Sequence, residues 1–240
     1  MLLTIDVGNT NIVFGLFKGK KHVKTWREET GRQALGLRRQ SNIDGVIVSS
    51  VVPKLDRPLK KAVEKSFRIK PVFVTHKNIG LKIKLKRKSE VGSDRLVNAY
   101  AAKELYGGPA IIVDFGTATT FCGINKKGEY LGGAIAPGVA LSAKALHSGT
   151  AKLPEIEVKY TGKVIGKSTR EAMRSGLYFG YAAMVEGMIG RFRKALGKRA
   201  KVIATGGFSE VLNRHTKDFD VVDRDLTLKG LKLIWEKMNV

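Results

Sequence analysis

Apolar positions open the chain in a strand-like run, Leu2, Leu3 and Ile5, that ends on Asp6. The chain then turns through Val7-Gly8-Asn9-Thr10 into a second run carrying Ile12, Val13, Phe14, Leu16 and Phe17. A lysine–glycine turn at Lys18-Gly19-Lys20 and a third apolar segment follow, so the pattern predicts three consecutive strands in a meander. Taken alone, the Gly-Asn link is ordinary hairpin chemistry.

The same pattern returns at 110 to 123, where Ala110-Ile-Ile-Val-Asp114-Phe-Gly116-Thr117-Ala-Thr119-Thr120 runs on to Gly123. Both copies end a strand on Asp, place glycine two residues later, turn through polar residues and enter a second strand. A lysine–glycine turn again follows at Lys126-Lys127-Gly128. The echo continues in Gly45 to Ser50 and Lys201 to Gly207, strands running into small-residue turns, each before a helix, one from Pro53 and one near 208 to 215. Short strands at 71 to 75 and 219 to 223 come next, and helices at 94 to 106 and 226 to 238 close the two halves. Strands alternating with helices after a meander predict an α/β fold in which a mixed sheet is covered by helices. Two such units predict two similar domains across a cleft, 1–108 and 109–240, divided at the turn-rich Gly107-Gly108-Pro109.

Duplication changes the reading of the turn. One Asp-x-Gly bend is a hairpin; two at matching places form a pair of loops whose backbone N–H groups and hydroxyls suit phosphate oxygens. Gly8 and Gly116 allow close approach of a ligand to the backbone. Asp6 and Asp114 can hold a divalent cation through water or a monovalent cation directly.

Composition narrows the class. The 240 residues are 43% hydrophobic and 27% charged, which is the composition of a soluble globular protein. Cys122 is the only cysteine, which excludes an internal disulfide and a multi-cysteine zinc site. The chain reaches Asp6 without a basic leader and apolar core, and no uncharged apolar stretch is long enough for a membrane span. A cytoplasmic protein without membrane attachment is expected. Lys and Arg outnumber Asp and Glu 44 to 21, a net charge of +23. The excess is spread along the chain, with one dense block at Lys82 to Lys88, and no zinc-finger spacing or aromatic–glycine RNA signature accompanies it. Generic surface charge or attraction of anionic substrates accounts for it more simply than a nucleic-acid partner.

The ordered set of motifs resembles the type III pantothenate kinase family, within the superfamily of acetate kinase, sugar kinases, heat-shock protein 70 and actin. The matching stretches are Asp6-Val-Gly-Asn-Thr10, Ser49-Ser-Val-Val-Pro53, Val91-Gly-Ser-Asp-Arg95-Leu-Val-Asn98 and Asp114-Phe-Gly-Thr-Ala-Thr-Thr120. Gly132-Gly-Ala-Ile-Ala-Pro-Gly138 and Gly166-Lys-Ser-Thr169-Arg-Glu-Ala-Met173-Arg-Ser-Gly176 extend the match over essentially the whole chain. The resemblance implies two ribonuclease-H-like domains, each a mixed five-stranded sheet flanked by helices, with ATP in the cleft between them. It implies phosphorylation of the primary hydroxyl of pantothenate by ATP with Mg2+, the first step towards coenzyme A. By position, Asp6, Val7, Gly8, Asn9, Thr10, Asn11, Ile12 and Val13 would form the first phosphate loop. Thr117 would contact the ATP phosphates, and Asp114 would hold a monovalent cation, K+ or NH4+. Gly92, Ser93, Asp94 and Arg95 would contact pantothenate, with Asp94 as the base for its hydroxyl. Thr169 would complete the pantothenate site from the partner subunit of a homodimer. A Bvg accessory factor-like transcriptional regulator is the alternative on the same fold, and a sugar kinase or polyphosphate phosphatase a third.

The residues carry chemistry of their own. Phosphoryl transfer needs mainly positioning and charge compensation, which one carboxylate, a cation and a metal supply. Asp94 can take a hydroxyl proton within hydrogen-bond reach, and Arg95 offers a fork that suits a carboxylate such as that of pantothenate. The same pair also reads as the start of a helix with an acid near its N-terminus. Ser168 followed by Glu171 is a capping-box pattern opening a long helix towards Leu196, which puts Thr169 in its first turn. Gly176, Gly180 and Gly187 on that helix fit a dimer seam or a buried intramolecular helix equally. Gly166-Lys167-Ser168 mimics the end of a P-loop, but Thr161 stands where that motif needs glycine and no strand precedes it. Two departures from the family pattern stand out. Leu85-Lys86-Arg87-Lys88 replaces the usual Tyr and Asn-Pro ahead of Gly92, and the segment between Trp26 and Ile43 is short.

Overall fold

A computed structural model describes residues 1–31, 37 and 42–239. The short segment between Trp26 and Ile43 therefore lies largely outside the described residues. The chain divides into two compact units, one of Met1–Gly107, Gly128–Tyr130 and Asp225–Val240, the other of Gly108–Lys127 and Leu131–Arg224.

The first unit is built on a sheet of β1 (Leu2–Val7), β2 (Asn11–Lys18), β3 (Lys21–Glu29), β4 (Gly45–Ser50) and β5 (Val72–Phe73), in the order β3-β2-β1-β4-β5. The meander strands pair antiparallel, and β4 and β5 add parallel to β1 and to β4. Period-2 alternation sends Leu3, Ile5 and Val7, with Val46 and Val48, onto α1 (Pro53–Phe67), whose Leu55, Leu59 and Val63 complete that core. Thr4, Asp6, Ile47 and Ser49 consequently point to the opposite face. There lie α2 (Ser93–Tyr106) and the C-terminal helix Leu226–Met238.

The second unit repeats the plan with β6 (Ala110–Phe115), β7 (Ala118–Ile124), β8 (Tyr130–Pro137), β9 (Lys201–Gly206) and β10 (Val221–Val222), ordered β10-β9-β6-β7-β8. Between them come α3 (Val139–Ser148), α4 (Thr169–Leu196) and α5 (Ser209–Asn213). Ile111, Val113 and Phe115 meet Tyr178, Tyr181, Val185 and Ile189 of α4 in one core. Two mixed five-stranded sheets of matching order are the expected fold class. The helix α3 was not anticipated; only Val139 and Ala143 of it are buried, a weak periodic signal.

The helix at 226 to 238, α6 (Leu226–Met238), has the expected bounds but not the expected allegiance. It belongs to the first unit, so 109–240 is not one contiguous domain. Glycines on its path explain why. A β-carbon on Gly230 would collide with Val97 and Ala101 of α2, one on Gly45 with the Trp235 ring, and one on Gly15 with Leu228. The missing side chains let α6 lie directly on α2 and the sheet, burying Leu226, Leu228, Leu231 and Ile234. Residues 128–130 also join the first unit. The Tyr130 N–H donates to the Lys82 carbonyl and the Lys84 N–H to the Tyr130 carbonyl, while Lys82 and Lys84 pair with the buried Glu129. The basic block is thus partly spent on an internal partner.

Candidate active site

The first loop follows from hairpin register. Asp6 pairs with Val13 and Val7 with Ile12, which leaves Gly8-Asn9-Thr10-Asn11 as the connection. The Gly8 N–H donates to the Asn11 carbonyl at 3.0 Å, closing the turn, and a β-carbon on Gly8 would sit 3.0 Å from that same oxygen. Asn9 and Thr10 are exposed and Asp6 is half-buried at the strand end. Thr30, a residue that sequence reasoning passed over, pins the loop from β3's exit. Its hydroxyl donates to the Gly8 carbonyl at 2.7 Å and its N–H to the Thr10 carbonyl at 2.9 Å.

Asp94 stands beside that loop within the same unit. Asp6 on β1 and Ser49 on β4 are register partners, and the Ser49 hydroxyl lies 3.0 Å from the hydroxyl of Ser93, which opens α2. Asp94 is the next residue. Its Oδ1 accepts the Arg95 N–H at 2.8 Å and folds back over Gly92, where a β-carbon would collide with it. Burial pushes the Asp94 carboxyl above the usual carboxylate range, against the lesser pull of the Arg95 N–H and guanidinium. A half-buried acid with a raised affinity for protons suits a group that takes a proton from an alcohol.

The second loop is one residue tighter. Asp114 pairs with Thr120 and Phe115 with Thr119, leaving Gly116-Thr117-Ala118. The Gly116 N–H donates to the Ala118 carbonyl at 3.2 Å, and the Gly116 and Thr117 positions are exposed. Asp114 lies next to Thr205 of β9 in register, half-buried. Gly206 follows in the left-handed region at φ 86°, and a β-carbon there would abut Asp114 Oδ1 and the Phe115 carbonyl. Gly138 presses on the loop from the other side: its N–H donates to the Thr117 carbonyl at 3.0 Å and it caps α3. Gly138 and Gly206 stood in recognised motifs, but nothing in the sequence says which backbone each must approach. A cavity of about 720 Å³ opens beside Gly116, lined by the apolar Phe115, Val139, Ile156, Val158 and Phe208 together with Lys144, Glu155 and Glu157.

Thr169 sits exposed on the first turn of α4. The Ser168 hydroxyl accepts the Glu171 N–H at 3.3 Å and Glu171 in turn takes the Lys167 N–H at 2.8 Å, so Gly166-Lys167-Ser168 belongs to a helix cap. Gly176, Gly180 and Gly190 meet nothing within 4 Å where a β-carbon would stand. No described residue therefore packs where their side chains would stand. With Ala183 and the half-buried Gly187 they form a stripe of small residues along one side of α4.

The structure thus brings Asp6 to Val13 together with Gly92 to Arg95 in the first unit, and holds Asp114, Thr117 and Thr169 in the second. Ser93 differs from its neighbours in that its side chain is buried against β4. Among the described residues no three His, Cys, Asp or Glu gather as a metal cluster. A divalent ion here would take most of its ligands from phosphate and water, as Mg2+ commonly does. Asp6 in the first unit and Asp114 in the second each stand half-buried at a strand end beside a glycine loop.

Residues 2–191 match the family model for type III pantothenate kinase. A type III pantothenate kinase of Halalkalibacterium halodurans is 44% identical over 253 residues, covering 99% of this chain and 99% of the relative. Among solved structures, a Campylobacter jejuni protein described as a Baf family transcriptional activator superposes with a TM-score of 0.69 at 22% identity, covering 99% of this chain and 100% of its own. The ethanolamine utilization protein EutJ of Carboxydothermus hydrogenoformans gives 0.57 at 17% identity, covering 97% and 89%. At these identities the two structures establish the shared fold alone.

Proposed function

The chain belongs to the type III pantothenate kinase family, and from that membership we propose how its residues divide the work. It is a kinase that phosphorylates pantothenate in coenzyme A biosynthesis, and the family implies ATP and a divalent metal. The regulator reading has no comparable support, since the relative at 44% identity is a kinase.

In our assignment Asp6 to Val13 bind ATP phosphates through the first loop, and Thr117 binds them from the second. Gly92 and Arg95, with the backbone of Ser93, form the pantothenate side, and the Arg95 fork meets the substrate carboxylate. Asp94 accepts the proton of the primary hydroxyl as that oxygen attacks the γ-phosphorus and ADP departs. A divalent cation such as Mg2+, held largely by the nucleotide and water near these loops, would supply charge compensation for the phosphoryl group. Asp114 holds a monovalent cation such as K+, and the close approach of Gly206 to its Oδ1 orients that carboxylate. The apolar lining beside Gly116 suits an uncharged part of a ligand whose phosphates meet the loop. Thr169 completes the pantothenate site of a second copy, and the small-residue stripe on α4 supports a homodimer. No helix among the described residues is long and apolar enough to cross a membrane.

One observation carries this reading. The Asp6–Ser49 register and the Ser49–Ser93 contact seat a phosphate loop and a half-buried acid on the same face of one sheet. Coupled ADP release with pantothenate, with and without K+, tests it. Turnover that needs pantothenate and rises with K+ is expected, and Asp94→Asn lowers it by about 10²–10⁴-fold. Full turnover in Asp94→Asn would remove Asp94 as the base; K+ independence would remove the role of Asp114.

A further inference from the structure

We propose that the Ser93 hydroxyl is the positioning group that aims Asp94, by locking the first turn of α2 onto the end of β4. This rests on Asp94 being the base.

Serine at a helix start ordinarily caps that helix. Here Gly92 occupies the cap position and no side chain caps α2, so the hydroxyl of Ser93 is not used that way. It turns instead into the neighbouring strand. Ser93 Oγ accepts the Ser50 N–H at 2.9 Å, donates to the Ser50 carbonyl at 3.0 Å and lies 3.0 Å from the Ser49 hydroxyl. A hydroxyl has one donor and two acceptor sites. With Ser49 as donor, all three are filled, in a side chain only 8% exposed beside a fully buried Ser49. Such a group has one orientation.

The anchor at the other end is equally fixed. The Ser50 hydroxyl donates to Asp56 Oδ1 of α1 at 2.5 Å and accepts the Val52 N–H at 3.3 Å. Ser49 continues to Asp6 through strand register. A continuous set of polar contacts therefore runs from α1 through the end of β4 to the residue preceding the base. Asp94 follows Ser93 directly and leans on the residues to either side of that anchor, Gly92 and Arg95, so its place relative to the first loop is inherited from Ser93. Arg95 is the charged neighbour that acts on it directly; Asp56 is reached through Ser50, Asp6 through the register of Ser49, and His76, Lys77 and Glu90 line the same pocket as Gly92 and Ser93.

The test compares Ser93→Val with Ser93→Thr, two side chains of the same shape of which only threonine keeps the hydroxyl. Each is assayed for kcat, for KM of both substrates, for the acidic limb of the pH–rate profile and for Tm. Ser93→Val should lose on the order of 10-fold in kcat, because a small misplacement of a reacting group is that costly. KM for ATP should hold, and the acidic limb should move as the surroundings of Asp94 change. Ser93→Thr should recover most of the rate and the wild-type limb. Where Ser93→Val folds poorly, Asp56→Asn provides the remote version, with a smaller fall in kcat and no change in KM for ATP. Equal kcat and equal limb in Ser93→Val and wild type, or equal losses in the Val and Thr variants, overturn the proposal. The outcomes separate cleanly: activity in Asp94→Asn removes the base, whereas an inactive Asp94→Asn beside an unaffected Ser93→Val removes only the positioning role.

Discussion

Gly138→Ala offers a test of whether the second loop is a working part of the enzyme. Gly138 has φ −74° and ψ 162°, which alanine adopts without strain, so the substitution acts only through the volume of one methyl group. That methyl would sit 2.8 Å from the Thr117 carbonyl carbon and nearer still to the Thr117 and Gly116 oxygens, where ordinary contact begins at 3.4 Å. Loop and helix must part by about 1 Å to restore ordinary contact at the nearest oxygen, at a cost of about 1–3 kcal/mol for overpacking. For a chain of this size each kcal/mol lowers Tm by about 2–4 °C. The exposed Gly116–Thr117 turn is softer than α3, which is anchored by buried Val139, so the loop gives way. Shifting phosphate contacts by that distance should lower kcat/KM for ATP by about 100-fold, or about 2.7 kcal/mol, and leave KM for pantothenate alone. Steady-state ADP release measured against each substrate, with thermal melts, checks both numbers. A Tm drop with ATP kinetics within about two-fold of wild type would refute the reasoning, because it would mean that α3 moved and the loop's placement does not matter.

Further outcomes follow from other contacts. Asp94→Asn should lower kcat by about 10²–10⁴-fold. Because burial raises the Asp94 pKa in the fold, the stability it contributes is present below the ordinary carboxylate pKa near about 4 and lost as pH rises through the raised value. Asp94→Asn should therefore melt higher than wild type at neutral pH, with the gap closing on acidification; a lower Tm at neutral pH contradicts the burial argument. Thr30→Val removes the 2.7 Å bond to the Gly8 carbonyl, which should cost about 0.5–1.5 kcal/mol and raise KM for ATP. An unchanged KM would show that β3 does not support the loop. Gly180→Leu should weaken a dimer through α4 by roughly 5- to 150-fold in its dissociation constant, with activity falling alongside in light scattering and assay at matched concentrations. A fully active monomer would exclude the contribution of Thr169 from a partner.

Much of this was written in local pattern. The Asp-x-Gly bend and its recurrence placed both loops, and the runs of apolar residues placed β1, β2, β6 and β7. Capping chemistry at Ser168 and Glu171 marked where α4 begins. These are short-range features: a turn, a two-residue period and a reciprocal cap need no knowledge of distant residues. Several others were out of reach. Thr30 supports the first loop across a hairpin, and Gly138 and Gly206 support the second from separate elements. Each glycine's purpose lies in the backbone it approaches, and that neighbour is far away in sequence.

By itself, then, the sequence determined two copies of a strand–acid–glycine plan, the candidate residues and the kinase family, because repetition and order survive in one dimension. Tertiary structure alone decided that α6 returns to the first unit, where Gly15, Gly45 and Gly230 leave room for it. It also turned Ser93 inward to β4, where a buried hydroxyl needs three partners and finds them. Both outcomes depend on which surfaces can come within contact distance, and that is settled by packing.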